Sequence, residues 1–353
     1  MSSNGPAAVI ILAAGEGTRM RTAIPKMLNE VCGRAMLGHV LAAVGELRAE
    51  RIILVVSDAH GRVAQYAAAN RPEATVIVQE RNGSWGTGHA VRTVIETAGV
   101  IHGTVLVVFS DTPMLRGRTL QKLSAEHQAS GAAVTVLTTQ APDPTGYGRI
   151  LRDERGQVTA IVEEADATAE QRSVTEISSG IFAFNGDLLA DAVKRVPTAN
   201  AAGEEYLTEV PAILRGDGYQ VGSAKCADFD EVQGVNDQAQ LARARRVLNG
   251  RLLAHWMAAG VTIVDPASTW IDVDVTLETG ARIGPGTQLE GQTFIGAGAS
   301  VGPGCLLRDA VVGAGATVLQ SVCESVVIEA GDTVGPFAHL KGLQRAEWRD
   351  KES

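Results

Sequence analysis

Residues 8–20 read Ala8-Val9-Ile10-Ile11-Leu12-Ala13-Ala14-Gly15-Glu16-Gly17-Thr18-Arg19-Met20, with Pro25-Lys26 close behind. The run Ala8–Leu12 is apolar at every position, the pattern of a strand buried on both faces of a parallel sheet. It ends in a loop of small residues, where glycines let the backbone approach a phosphate without a Cβ in the way. No Gly-Lys-Ser/Thr closes the loop, so it is not a P-loop. Met20 stands where the third glycine of a dinucleotide fingerprint belongs. A bare Gly-x-Gly is better explained by a tight turn; Thr18, Arg19 and Lys26 reverse that reading towards phosphate binding.

Outward from this loop, Ile52–Val56, Thr75–Gln79, Thr104–Phe109 and Ala133–Thr138 have the same buried-strand texture, with helical stretches such as Met36–Leu47 and Gly88–Thr97 between them. The alternation predicts a doubly wound, Rossmann-like α/β domain over residues 1–235, built on a parallel sheet with ligands at the carboxyl ends of its strands. From Asn236 to Gly260, Leu241, Leu248, Leu252 and Trp256 recur at helical steps. This predicts a connector helix over 236–260, with Asn236 as its N-cap and Gly260 as its stop. Beyond Val261 the period changes: Ile283, Leu289, Ile295, Val301 and Leu307 are six apart, and the series resumes, displaced, at Val312 and Val318 and again at Ile328, Val334 and Leu340. A six-residue apolar period with small residues between predicts a parallel β-helix over 261–340, about four coils at ~18 residues each. Residues 341–353 lose the period and read as a charged tail.

Composition narrows the function. The chain has 353 residues, more than one typical domain, with 45% apolar and 20% charged residues. A net charge of −9 argues against nucleic acid or an anionic membrane as partner. The four cysteines show no paired or zinc-ligand spacing, as expected of isolated thiols in a reducing cytosol. The apolar stretch Ala7 to Ala14 is too short to span a membrane and lacks the basic flank of a signal peptide. A cytoplasmic protein is expected.

The glycine loop with its Pro25-Lys26 resembles the signature of sugar-1-phosphate nucleotidylyltransferases. The likeness extends through Gly86-Thr87-Gly88-His89-Ala90, Ser110-Asp111-Thr112-Pro113, Gly146-Tyr147-Gly148-Arg149-Ile150, Ile161-Val162-Glu163, Tyr206-Leu207-Thr208-Glu209 and Gly234-Val235-Asn236. In order and spacing, residues 8 to about 340 resemble the bacterial bifunctional N-acetylglucosamine-1-phosphate uridylyltransferase/glucosamine-1-phosphate acetyltransferase family. The resemblance implies a nucleotidylyltransferase domain followed by a left-handed β-helix, and transfer of uridylyl from UTP to N-acetylglucosamine 1-phosphate with Mg²⁺. It implies that Leu12, Ala13, Ala14 and Gly15, with Gln79, Gly86 and Thr87, hold the uracil. Arg19 and Lys26 would then neutralise the triphosphate, and Asp111 and Asn236 would ligate magnesium. Gly148, Glu163 and Tyr206 would meet the amino sugar, with Ser178 at a further sugar-binding position. A homotrimer through the β-helix is implied as well.

The chemistry agrees with such a set. Attack of a sugar phosphate on the α-phosphorus brings two anions together, so a catalyst must supply positive charge and in-line alignment. Mg²⁺ takes few protein oxygens, and one carboxylate with one amide oxygen suits it. Each residue also has a plainer reading: Arg19 and Lys26 as surface charges, Asp111 as a turn cap before Pro113, Asn236 as an N-cap, Tyr206 as a core aromatic. His89, at a helix start, reads as structural.

Four departures from the family stand out. Ser178 replaces the usual asparagine that helps hold the sugar, Ser110 replaces a common glycine, and the loop Gln79 to Trp85 is two residues longer than expected. The β-helix is also short, so the later coils that carry acetyl transfer are missing and no acetyltransferase activity is expected. A different sugar 1-phosphate or base, and a non-catalytic regulatory or scaffold homologue, are the alternatives.

Overall fold

The computed structural model describes residues 5–80 and 85–342. The expected insertion before Gly86 and the charged tail therefore fall largely outside the described residues. The chain divides into two compact units, one of residues 1–29 and 35–240, the other of residues 30–34 and 241–353.

In the first unit the central path of the sheet runs Val221–Lys225, Val134–Gln140, Glu176–Asn185, Thr104–Phe109, Ala8–Leu12, Arg51–Val56, Thr75–Val78. A hairpin of Arg149–Arg152 and Val158–Val162 joins it through Glu176–Asn185. Ala8–Leu12 lies at the centre, parallel to both neighbours. Side chains alternate between the two faces: Ala8, Ile10 and Leu12 enter one apolar core, Val9, Ile11 and Ala13 the other. Cores on both faces are the mark of the doubly wound arrangement.

The five strands expected to be parallel run in one direction, but the sheet holds a further strand that does not. Glu176–Asn185 runs antiparallel to both of its neighbours on the path. Its pattern is broken by Ser178-Ser179-Gly180, where the register shifts and Gly180 takes a φ of +75°. A bulge with a glycine in the left-handed region hides the alternation that marks a strand.

The second unit is the parallel β-helix of the left-handed type, with described sheets of five, five and four short strands. Ile283, Leu289, Ile295, Val301 and Leu307 are fully buried in its core. Successive coils shorten: Arg282 stands beside Ser300, Ser300 beside Thr317, and Thr317 beside Thr333. The shorter faces turn at Asp309, Gln320 and Ser325, non-glycine residues with φ of +50°, +40° and +51°. Each such corner drops one residue, which displaces the period after Leu307 and makes Cys323 the core position between Val318 and Ile328.

The long helix spans Gln238–Ala258. Its buried positions are Leu241, Ala244, Asn249 and Leu253, whereas Leu248 and Leu252, expected on the inner face, are half-buried. From Leu241 onward it belongs to the second unit rather than serving only as a connector. Leu253 packs into the β-helix core. The Asn249 side chain donates to Thr269 O at 2.8 Å and accepts from Ile271 N–H at 3.0 Å. It satisfies backbone groups at the start of the solenoid, as a cap must. No helix among the described residues is long and apolar enough to cross a membrane.

Ile295 is fully buried between coils. Ile295→Ala is expected to cost the second unit about 2–5 kcal/mol of stability. Urea unfolding followed by a probe in the β-helix checks this; a loss below about 0.5 kcal/mol would show that the core is not packed as described.

Candidate active site

The carboxyl end of Ala8–Leu12 opens into a cleft of about 380 Å³ within the first unit. The sheet frames it: Ala13 N–H donates to Val55 O, Ser110 N–H to Leu12 O and Gln79 N–H to Val56 O. The ends of Thr104–Phe109, Ala8–Leu12 and Thr75–Val78, the last two linked through Arg51–Val56, thus deliver Asp111, the glycine loop and Gln79 to one place.

At its base the Lys26 ammonium lies 2.5 Å from Asp111 Oδ2 and 2.6 Å from Asn236 Oδ1. Arg19 donates to the same Asn236 oxygen at 2.9 Å. Gly17, at φ +63°, makes the contact possible, since a Cβ there would come within 2.3 Å of Lys26 Cβ. The loop's second glycine is therefore required by Lys26 as well as by its turn.

Asn236 does not cap the long helix. Asp237 does so, its Oδ1 accepting from Gln240 N–H at 2.8 Å, while the Asn236 amide turns into the cleft. The Asp111 carboxylate likewise faces Lys26, and its backbone carbonyl accepts from Val235 N–H at 2.9 Å.

Asp111 and Asn236 thus present two hard oxygens to one cation, the Lys26 ammonium, and a divalent ion of the magnesium kind takes oxygens of that type. Among the described residues no cluster of three or more His, Cys, Asp or Glu could hold a metal. An ion at Asp111 and Asn236 would need its other ligands from substrate and water. Electrostatics point the same way. Glu16 and Glu204 also line the cleft, so Arg19 and Lys26 do not outweigh the acids present. A polyphosphate needs further positive charge there.

Leu12, Ala14, Gly15, Gln79, Gly86 and Thr87 all line this cleft. Ala13 does not: its methyl is buried in a core and its N–H belongs to the sheet. Gln79 Nε2 lies 3.0 Å from Gly86 O and 2.9 Å from His89 Nδ1. Burial lowers the His89 pKa, and a neutral ring that accepts from Gln79 makes it a structural support.

The expected sugar residues form a second group, outside the lining of that cleft. Ser178 N–H donates to Gly148 O at 2.8 Å, and a Cβ on Gly148 would stand 3.4 Å from Glu163 Oε1. Beneath them buried Arg149 pairs with Glu164 at 2.6 Å, tying the residues beside Gly148 and Glu163 together. Burial raises the Glu163 pKa; the Thr208 hydroxyl, donating at 2.8 Å, works against this, and Asp166, Glu209 and Glu204 add repulsion. Tyr206 is half-buried, its pKa raised by burial and then by Asp166, Glu204 and Glu163. The Ser178 hydroxyl is turned inward and accepts from Gly180 N–H at 3.2 Å.

Sequence reasoning assigned no role to Thr208, Glu204 or Trp85. Thr208 stood inside a quoted motif, and its spacing two residues after Tyr206 was the available signal. Glu204 and Trp85, both on the cleft wall, gave none.

Residues 9–176 match the family of the MobA-like NTP transferase domain. The chain is 54% identical over 344 residues to the bifunctional protein GlmU of Streptomyces avermitilis, covering 97% of this chain and 71% of that one. It is 52% identical to the Streptomyces coelicolor protein of the same name, covering 99% and 73%, and 53% identical to that of Thermobifida fusca, covering 93% and 68%. Likeness at this level along nearly the whole chain, and over more than two thirds of each relative, places the chain in the family of the bifunctional GlmU proteins.

Proposed function

We propose that the chain transfers uridylyl from UTP to N-acetylglucosamine 1-phosphate, forming UDP-N-acetylglucosamine and releasing pyrophosphate. That it is a sugar-1-phosphate nucleotidyltransferase follows from its family and its NTP transferase domain. The observation that carries the finer reading is the meeting of Lys26 and Arg19 with Asp111 and Asn236 at the end of the glycine loop.

In this reading a phosphate oxygen of the sugar attacks the α-phosphorus of UTP, and the bond from that phosphorus to the β-phosphate oxygen breaks. Both reactants are anions, so approach is governed by charge. Lys26 leaves Asp111 for the phosphates, with Arg19 beside it at the loop. Asp111 and Asn236 are then the oxygens that would hold Mg²⁺, which when bound supplies the charge neutralisation the side chains lack. Gly86 and Thr87, with Gln79 beneath them and Leu12, Ala14 and Gly15 opposite, enclose the base. Gly148, Glu163 and Tyr206 take the amino sugar, with Thr208 orienting Glu163.

A second reading, another sugar 1-phosphate, is favoured by one observation: the Ser178 hydroxyl, already accepting from Gly180 N–H, is shorter than asparagine's amide and keeps one donor where the amide has two. The relatives' remaining length has no counterpart in these 353 residues, and acetyl transfer lies outside the proposal. A homotrimer and a cytoplasmic setting belong to it, the latter supported by four free cysteines.

Pyrophosphate release with Mg²⁺ and UTP is expected to be fastest with N-acetylglucosamine 1-phosphate in a panel of sugar phosphates and nucleoside triphosphates; preference for another sugar would move the reading to its rival. Lys26→Ala is expected to lower kcat by about 10²–10³, and an unchanged rate would remove Lys26 from the mechanism. Light scattering at micromolar concentration is expected to give three times the chain mass, and a monomer would refute the trimer.

A further inference from the structure

One short segment touches both substrate regions. Glu205 N–H donates to Trp85 O at 2.8 Å, and Glu205 O accepts from Gly88 N–H at 2.7 Å. Leu207 N–H donates to Thr87 Oγ1 at 3.0 Å. The next residue, Thr208, donates its hydroxyl to Glu163 Oε1 at 2.8 Å. Within four residues the chain is stitched first to the loop assigned to the nucleotide and then to the carboxylate assigned to the sugar. The fit leaves no slack: a Cβ on Gly86 or Gly88 would come within 2.5 or 2.9 Å of Glu205 O.

The Glu205 side chain is 9% exposed and meets Arg92 with both oxygens, Nε to Oε2 at 3.0 Å and Nη2 to Oε1 at 2.7 Å. Arg92 stands on the helix Thr87–Ala98, which begins at the nucleotide loop, and Glu96 holds its remaining arm at 2.9 Å. A two-armed guanidinium–carboxylate pair fixes orientation as well as distance. Neither residue lines the cleft, so neither is placed to meet a reacting atom.

We infer that the Arg92–Glu205 pair is a positioning device that locks the segment Glu204–Thr208 onto the loop Trp85–Gly88, so that ordering the contacts of one substrate orders those of the other. The inference rests on the uridylyl-transfer reading and adds to it a coupling between the two binding events. Such coupling is reciprocal: nucleotide tightens sugar phosphate by the factor by which sugar phosphate tightens nucleotide.

The test is calorimetric titration of the full chain with Mg²⁺, N-acetylglucosamine 1-phosphate, and a UTP analogue carrying a methylene bridge between the α- and β-phosphorus, which cannot release pyrophosphate. In the parent protein the analogue is expected to lower the Kd of the sugar phosphate by about 5- to 150-fold. In Glu205→Gln that factor is expected to fall below about twofold, and in the reversed pair Arg92→Glu/Glu205→Arg to recover most of its size. A merely structural role would lower the melting temperature and weaken both ligands but leave the factor as in the parent, and that result overturns the inference. So does a parent protein that binds both ligands without coupling. If Glu205→Gln does not fold, Arg92→Lys, which keeps the charge but not the two-armed contact, carries the same expectation. Failure of the uridylyl-transfer reading looks different, because at least one of the two ligands then fails to bind the parent protein.

Discussion

One ammonium group, Lys26 Nζ, sits between a carboxylate and an amide oxygen that lie 85 and 210 residues away along the chain. The contact exists only once the first unit is assembled, because the central strands and the turn after Val235 must all end at the same edge. The two side chains of the ion pair are 10% and 20% exposed, so each has lost much of its hydration. For a pair in that setting, Coulomb attraction and desolvation largely cancel. Near-cancellation suits the proposed role of Lys26, in which phosphate oxygens replace the carboxylate around the ammonium with little net loss.

The same contact explains several features around it. Gly17 has to be glycine because Lys26 crosses it, Asn236 turns inward because Asp237 has taken over the helix cap, and Asp111 is steadied by Val235 through its backbone. The cleft also carries Glu16 and Glu204, which makes it a place where anionic substrates do not bind on side-chain charge alone.

Much of this was legible in the sequence, for identifiable reasons. Ala8–Leu12 announced a central strand because all five positions are apolar, and the six-residue period announced the β-helix. Residues at strand ends, Asp111 and the glycine loop among them, stood out as candidates because chemistry in such folds concentrates there, and they line one cleft. Contacts across long separations were not legible. Nothing in the spacing pairs Lys26 with Asp111, or Arg92 with Glu205. The strand Glu176–Asn185 was missed because its bulge breaks the alternation, and Cys323 because five-residue corners shift the period. Asn249 was missed because a buried polar residue on a helix leaves no periodic trace; its work is to cap the start of the solenoid.

The most direct measurement is a crystal structure of the chain with UTP and Mg²⁺. The account predicts the triphosphate along the loop from Leu12 to Arg19, the metal on Asp111 and Asn236, and Lys26 moved from Asp111 onto phosphate oxygens. A triphosphate bound elsewhere, with the Lys26–Asp111 pair undisturbed, would contradict it.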